Sequence, residues 1–275
     1  MHCPLRLGCV LLFVGLATST AHSQSTREEK EAPLIADRPS ESTSALVLPR
    51  LTLQFEAGYT FKRRDTDERR VDTQELPDAL FRYGVTSRLE ARLQVTGWSF
   101  SDILTVDGYQ IEDGFNDVSI GATFSLTKGK GWVPALGVLG AVSLPVGETG
   151  FTDGYTRPKF LALMDFTPSD RIGLTVNVGP DILRVRDEKK GDKTVTDLRY
   201  VATVETIATD RIGLFGEVYG ALALNESRKN RLSCQGGITF LLARLFQLDA
   251  RAGVGVAGNV PDWLVGAGLS FRIPH

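Results

Sequence analysis

The sequence lacks two features that would place it in common classes of secreted or nucleic-acid-binding proteins. Cys3 and Cys9 lie in the first stretch of the chain, so only Cys234 remains beyond it. A single cysteine cannot form an internal disulfide, which excludes a disulfide-stapled domain. The chain has 31 basic and 33 acidic residues, and this near balance gives no electrostatic basis for a nucleic-acid partner.

Histidine is absent from every predicted strand and loop. The only histidines are His2, His22 and the final residue, His275. A barrel lipase or deacylase of the familiar kind needs a histidine to activate its serine, and a His/Cys metal site needs imidazole or thiolate ligands. The sequence therefore predicts no catalytic residue, no metal site and no cofactor, and we expect the chain not to be an enzyme.

Long apolar runs are also missing. The longest, Leu7–Ala17, is shorter than the roughly 20 residues of a membrane-spanning helix. It follows the basic Arg6 and precedes the small-residue segment Ala21–Ser23, which is the layout of a secretory signal peptide. We expect residues 1–23 to be a signal peptide that is cleaved near Ser23-Gln24.

The sequence does contain a long series of alternating apolar and polar positions, which begins near residue 49. In 51–61 the odd positions are apolar or aromatic and the even positions are polar or glycine, and 171–183, 245–256 and 263–273 repeat this pattern. Such alternation is typical of strands with one apolar face. It predicts about twelve strands, which start near residues 50, 77, 88, 116, 132, 156, 171, 195, 211, 231, 245 and 262.

The predicted connections alternate in length. Short turns such as Thr86–Leu89, Ser169–Ile172 and Thr209–Ile212 follow every second strand, and longer polar segments such as Lys62–Glu75 and Ser101–Phe115 follow the others. Outer-membrane barrels have short periplasmic turns and long extracellular loops. The predicted fold is therefore all-β: a transmembrane antiparallel up-and-down β-barrel of about twelve strands over 49–275, preceded by an extended leader at 24–48.

Alternation alone does not decide which face points inward. A soluble periplasmic barrel would place its apolar face inside, and detergent-dependent solubility with heat-modifiable gel migration would separate it from a membrane barrel. Three observations favour polar residues inside. The polar face is rich in glycine and threonine, and large aromatic residues lie near strand ends as in interfacial girdles. Twelve strands also enclose more space than one layer of apolar side chains fills.

The charged residues of the polar face are the candidate lumen lining. They are six basic and seven acidic residues: Glu56, Arg82, Glu90, Arg92, Lys159, Asp165, Asp197, Arg199, Glu205, Glu217, Asp249, Arg251 and Arg272. They could be paired charges that stabilise the wall, a polar conduit for a solute, or both. Asp37, Arg38 and Pro39 of the leader are candidate plug residues.

Several segments together resemble one family of outer-membrane proteins. These segments are Ile35–Thr43, Phe81–Glu90, Asp113–Val118, Leu144–Gly147, Gln247–Arg251, Gly253–Gly255, Pro261–Trp263 and Gly266–Arg272. They resemble the family labelled "Putative MetA-pathway of phenol degradation", often simply called a transporter. The resemblance implies an outer-membrane barrel that takes up aromatic or other small organic compounds.

The sequence thus predicts a channel or transporter for small organic solutes in the outer membrane of a Gram-negative-type bacterium. Its expected partners are outer-membrane lipid, the small-molecule solute and the barrel-assembly machinery. The alternative is a structural or adhesive barrel with a closed lumen that acts through its outer loops.

Overall fold

The computed structural model describes residues 34–185, 191–225 and 228–273, so the predicted signal peptide and residues 24–33 of the leader lie outside the described residues. In these ranges no helix is long and apolar enough to cross a bilayer. The described residues form fourteen strands: β1 Leu53–Asp65, β2 Arg69–Gly84, β3 Leu89–Val95, β4 Trp98–Thr105, β5 Gly108–Phe115, β6 Val118–Thr127, β7 Gly131–Leu144, β8 Arg157–Ser169, β9 Ile172–Val185, β10 Lys193–Ile207, β11 Ile212–Ala223, β12 Arg231–Ala243, β13 Phe246–Ala257 and β14 Trp263–Ile273.

Twelve of these strands form a closed ring in which every pairing is antiparallel. The order around the ring is β1-β2-β3-β6 and then β7 to β14 in sequence, and β1 pairs with both β2 and β14. Strand β3 pairs with β6 rather than with β4, because β4 pairs with the first half of β2 and with β5, outside the twelve-stranded ring. A closed ring leaves no unpaired sheet edge, as crossing a bilayer requires. The predicted twelve-stranded barrel is confirmed.

Two segments that the sequence analysis assigned to loops are strands, so for them the prediction is wrong. In 62–75, β1 and β2 continue as a hairpin, and in 101–115, β4 and β5 pair with each other. The polar composition of 62–75 has another origin, because its charges pair across the strands. Lys62 Nζ lies 2.6 Å from Glu75 Oε1, and Arg63 Nε lies 2.6 Å from Asp72 Oδ1.

The two rims of the barrel differ in their connections. Turns 85–88, 128–130, 170–171, 208–211 and 244–245 are short and share the rim where β1 begins and β14 ends. Two of them are near copies, because Thr86 Oγ1 accepts from the amide of Leu89 and Thr209 Oγ1 accepts from that of Ile212, each at 3.0 Å. We call this the periplasmic rim and the opposite one, which carries the connection 145–156, the extracellular rim.

The two faces of the barrel have opposite chemistry. Gln54, Glu56 and Thr60 of β1 point inward and are fully buried, whereas the neighbouring Leu53 is 40% exposed on the outside. Aromatic side chains pack across strands on the outer face: the ring centroids of Phe55 and Phe81 are 4.8 Å apart. Further up the strands, those of Phe61 and Trp263 are 5.2 Å apart. This inverted arrangement, with aromatic belts, suits a lipid-facing outer surface.

Candidate functional site in the barrel lumen

Residues 34–48 of the leader lie inside the barrel without joining the sheet. Leu48 is 1% exposed and Ala45 is fully buried. The leader contacts polar side chains of seven ring strands, namely β1, β2, β3, β8, β9, β11 and β13. A polar lumen thus binds a segment of the same chain, and four groups of contacts hold it.

The first group, which we call the Asp37 latch, lies toward the periplasmic rim. The Asp37 carboxylate forms ion pairs with Arg82 Nη1, at 3.2 Å, and with Arg92 Nη2. The Asp37 amide donates to Glu56 Oε2 at 3.0 Å. Arg82 also contacts Glu56 Oε1 at 3.1 Å and, through Nε, Glu90 Oε1 at 2.8 Å. Three carboxylates and two guanidinium groups therefore share one buried network, in which each charge has partners.

The Asp37 latch predicts how Asp37 titrates. Burial by itself would raise the pKa of Asp37, but the positive charges of Arg82 and Arg92 outweigh burial and lower the pKa below 3.8. A depressed carboxyl pKa contributes stability that is present above pH 3.8 and is lost as the pH falls through the folded value. NMR titration of the ¹³C-labelled carboxyl should give a midpoint below 3.8, and Arg92→Gln should move that midpoint upward. A midpoint at or above 3.8 in the unmodified chain would contradict the latch.

The second group, the Arg38 latch, fastens the next residue of the leader. Arg38 Nη2 lies 3.2 Å from Asp249 Oδ1, and Nη1 lies 3.5 Å from Asp78 Oδ2. The guanidinium group rests on Gly58 and Gly268, which are register partners on β1 and β14. A Cβ atom at either glycine would overlap the guanidinium group. Glycine on the lumen face here makes room for the arginine of the leader.

The third group binds the leader from Pro39 to Thr43. Arg251 Nη1 donates to the Pro39 carbonyl oxygen and to Glu41 Oε1, each at 3.1 Å. The amide of Glu41 donates to Glu217 Oε1 at 2.8 Å. Burial alone would raise the pKa of Glu41, but the nearby Arg251 and other cations outweigh it and lower the pKa. The Glu41 carboxylate therefore stays charged against Arg251.

The end of the leader meets an apolar patch inside the barrel. The Ala45 amide and the Ser44 hydroxyl both donate to Asp165 Oδ2, at 2.8 and 2.7 Å. Ala45 then packs in a buried cluster with Ala135, Leu139 and Leu163. These side chains of β7 and β8 face the lumen, which the sequence analysis treated as uniformly polar. Burying them under the leader removes apolar surface from water.

The described part of the lumen contains a cavity on each side of the leader. The upper cavity, toward the extracellular rim, has a volume of about 380 Å³ and a lining rich in charged residues. The lower cavity, which reaches the periplasmic turn 170–171, has a volume of about 370 Å³. Its apolar lining includes Ile35 and Phe215. Residues Arg38, Pro39 and Ser40 line both cavities, so at this level the leader is the partition between them.

The thirteen candidate lumen residues fall into a group that contacts the leader and a group that does not. Those that contact the leader are Glu56, Arg82, Glu90, Arg92, Asp165, Glu217, Asp249 and Arg251. Lys159 and Arg199 line the upper cavity, and Glu205 lines the lower one. Asp197 binds arginine side chains toward the extracellular rim, and Arg272 donates to Gln54.

Some residues of the site were missing from the predicted set. Asp78 binds Arg38, Asn177 exchanges hydrogen bonds of 2.7 and 2.9 Å with the backbone of Thr43, and Asp181 binds Arg157. The alternation carries the signal for all three acceptors, because Asp78, Asn177 and Asp181 share the parity of lumen-facing neighbours, although the predicted set did not include them. Arg157 stands at the first position of β8, where the alternation has just begun.

Metal and catalytic chemistry were predicted to be absent. Across 34–185, 191–225 and 228–273, no group of three or more His, Cys, Asp or Glu side chains is arranged to hold a metal ion. That the chain is not an enzyme stays a prediction.

Comparisons with known proteins agree with this architecture. The profile of the family described as "Putative MetA-pathway of phenol degradation" matches residues 36–273. The structure of an outer membrane channel from Pseudomonas putida F1 shares 11% identity and a TM-score of 0.65, with 85% of this chain and 100% of that chain covered. The NanC porin structure shares 11% identity and a TM-score of 0.52, with 80% and 100% covered. At these identities the likeness concerns the fold alone. No curated protein sequence matches the chain.

Proposed function

We propose, from the premise that this chain belongs to the family described as "Putative MetA-pathway of phenol degradation", that it is an outer-membrane channel for small organic solutes. In this proposal the leader closes the lumen at rest. One observation carries it: residues 38–40 separate a cavity of about 380 Å³ on the extracellular side from one of about 370 Å³ on the periplasmic side. A passage that is interrupted at one level opens when that partition moves.

The leader is suited to such a movement because the barrel does not depend on it. No residue from 34 to 48 belongs to a strand, and β1 closes the ring by pairing with β2 and β14. The leader is held through side chains and through its own amides, and these groups can exchange their partners for water. When it leaves, Arg82 still has Glu56 and Glu90 as partners. The lumen wall thus remains largely charge-paired in the open state.

The lower cavity supports the finer proposal that the solutes include aromatic compounds. Phe215 and Ile35 line it together with Ile207. Ligand pockets are commonly lined by apolar and aromatic side chains with a few polar groups, and an aromatic ring gains free energy by burial against them. The family description, which refers to phenol degradation, supports the same class of solute.

The outward-facing side chains support a lipid partner. Large apolar residues such as Ile120, Phe160 and Val204 are about half exposed on the outside of the ring. We infer that outer-membrane lipid covers them, and that the barrel-assembly machinery inserts the chain after export through the predicted signal peptide.

Proteoliposome swelling tests the channel proposal. The full chain, in which the leader leaves the lumen only part of the time, should admit monosaccharides and phenylalanine slowly and exclude a trisaccharide, because the cavities are small. Asp37→Asn with Arg38→Gln in one chain should swell faster with the admitted solutes. Protein-free liposomes are the control. Absence of swelling with every solute, for both proteins, would contradict a channel.

The second candidate is a structural barrel that remains closed and acts through its outer loops. The number of leader contacts favours it, because eight of the predicted lumen residues bind the leader. The swelling experiment separates the two candidates, since a permanently closed barrel stays impermeable when both latches are weakened.

A further inference from the structure

The upper cavity has an incompletely neutralised group of cations on its wall, which we call the basic cluster: Arg157, Lys159 and Arg199. Asp181 lies among them, with Oδ2 at 2.6 Å from Arg157 Nη2 and 3.5 Å from Arg199 Nη1. Asp153 reaches Arg157 from the exposed connection above, with Oδ2 at 3.2 Å from Nη1. Among the described residues, three cations thus share two carboxylates, which leaves one positive charge in excess.

Strand register brings the basic cluster together. Lys159 on β8 stands directly opposite Asp181 on β9, and β9 also pairs with β10, which carries Arg199. Arg157 and Lys159 are two positions apart and share the lumen face of β8. The side chains of Arg157 and Arg199 are 24% and 33% exposed, and all three cations line the cavity. A solute in the cavity can therefore reach them.

The other cations that line the upper cavity have carboxylate partners. Arg92 binds Asp37 and Glu90, Arg38 binds Asp78 and Asp249, and Arg251 binds Glu41. Lys159 differs, because its ammonium group has neither a hydrogen bond nor an ion pair among the described residues.

The carboxylate of Asp117 forms no ion pair with the basic cluster among the described residues. Asp117 also lines the upper cavity, but its two oxygens accept from the amides of Gly147 and Asp153, each at 2.9 Å. It holds the connection 145–156 at the rim. Among the described residues, only Asp153 and Asp181 form ion pairs with the basic cluster, so one of its positive charges is free to attract an anionic solute.

We propose that the basic cluster binds the carboxylate of a small organic monoanion, such as an aromatic carboxylate, on its way into the lumen. One negative charge neutralises the cluster, and guanidinium groups present paired donors that match a carboxylate. A cavity of about 380 Å³ accommodates a single small aromatic ring with its carboxylate. This inference deepens the proposed function and rests on it for the direction of transport, but binding itself needs only the cavity.

Benzoate and benzamide form the matched pair of probes, because they share shape and differ in charge. Isothermal titration of the detergent-purified full chain should show benzoate binding that weakens with added salt and is about tenfold tighter than benzamide binding. Lys159→Gln and, separately, Arg199→Gln should each reduce benzoate affinity about tenfold without changing benzamide affinity. Lys128→Gln, at an exposed periplasmic turn, removes the same charge far from the cavity and should change neither.

Equal affinity for benzoate and benzamide would overturn the inference. So would unchanged benzoate affinity in both Lys159→Gln and Arg199→Gln, with heat-modifiable gel migration confirming that the variants fold. The failures of the two proposals are distinguishable. Solute flux without benzoate preference removes only the carboxylate site, whereas benzoate binding without flux in any variant removes only the channel.

Discussion

A chain that carries Asp37→Asn and Arg38→Gln together should conduct far more than the unmodified chain in planar bilayers. The substitutions remove the ion pairs of both latches, in which Asp37 and Arg38 are each 8% exposed. A hydrogen bond to a charged group contributes about 1.5–3 kcal/mol. Losing one such contact in each latch should shift the closed-to-open ratio by about a hundredfold or more.

The groups left behind act in the same direction. With the leader in place, the variant would keep Arg92 and Asp249 without their charged leader partners in a closed lumen. Water would solvate them once the leader departs, so the open state is favoured further. The measured quantity is the open probability of single channels together with their conductance.

A variant with the same charge change elsewhere provides the control. Asp67→Asn with Arg69→Gln alters the exposed hairpin turn between β1 and β2 and leaves the latches intact. It should conduct like the unmodified chain. If the latch variant folds, by heat-modifiable migration, and its open probability equals that of the control, the leader is not the barrier to conduction.

The substitution Arg82→Gln should lower the free energy of unfolding by about 3–5 kcal/mol. Arg82 is 1% exposed and lies between Glu56, Glu90 and Asp37. Removing its charge leaves carboxylates buried at the base of the barrel with too few cations. Urea unfolding of the refolded protein in lipid vesicles, followed by tryptophan fluorescence, measures the change.

An exposed ion pair supplies the matched comparison. Arg70 Nε lies 2.7 Å from Asp65 Oδ1 near the extracellular rim, and both side chains are 48% exposed. Arg70→Gln should therefore cost no more than about 1 kcal/mol. Adding Glu56→Gln to Arg82→Gln should restore part of the lost stability, because it removes one of the unpaired carboxylates. Equal costs for Arg70→Gln and Arg82→Gln would show that the buried network adds little.

Alternation of residue type was sufficient to locate the ring strands. One face of each ring strand meets lipid and the other meets the lumen. A register error of one residue would expose a whole polar face to lipid, so the alternation of apolar and polar positions is strongly marked in the sequence. Eleven of the twelve predicted starts lie within three residues of the observed ones. The exception is β2, which begins at Arg69 rather than near 77, because outside the bilayer both faces of a strand can be polar.

The hairpin of β4 and β5 escaped prediction for the same reason. Its strands carry Asp102, Gln110 and Glu112 beside apolar residues, and the segment 101–115 reads as a polar loop. Above the membrane, pairing partners rather than an apolar face stabilise a strand, and one sequence does not reveal those partners.

Parity indicated which strand positions face the lumen but not which of their side chains meet. Arg38 and Asp249 are 211 positions apart in the sequence, and they meet only because the ring closes and the leader enters it. The path of the leader did leave a signal that was not used. Strand β7 is apolar at both parities around Ala135 and Leu139, which is unexpected for a lumen wall unless something apolar covers it.

The binding site of Arg38 on the barrel wall bears on the order of events during barrel assembly. Gly58 belongs to β1 and Gly268 to β14. The surface that Arg38 contacts therefore spans the junction at which the first and last strands of the ring pair. Neither strand alone provides it. The complete binding surface for Arg38 does not exist until β1 and β14 have paired. A barrel that has not yet closed therefore cannot hold the leader in its final position. Occlusion of the lumen therefore follows completion of the wall and cannot precede it.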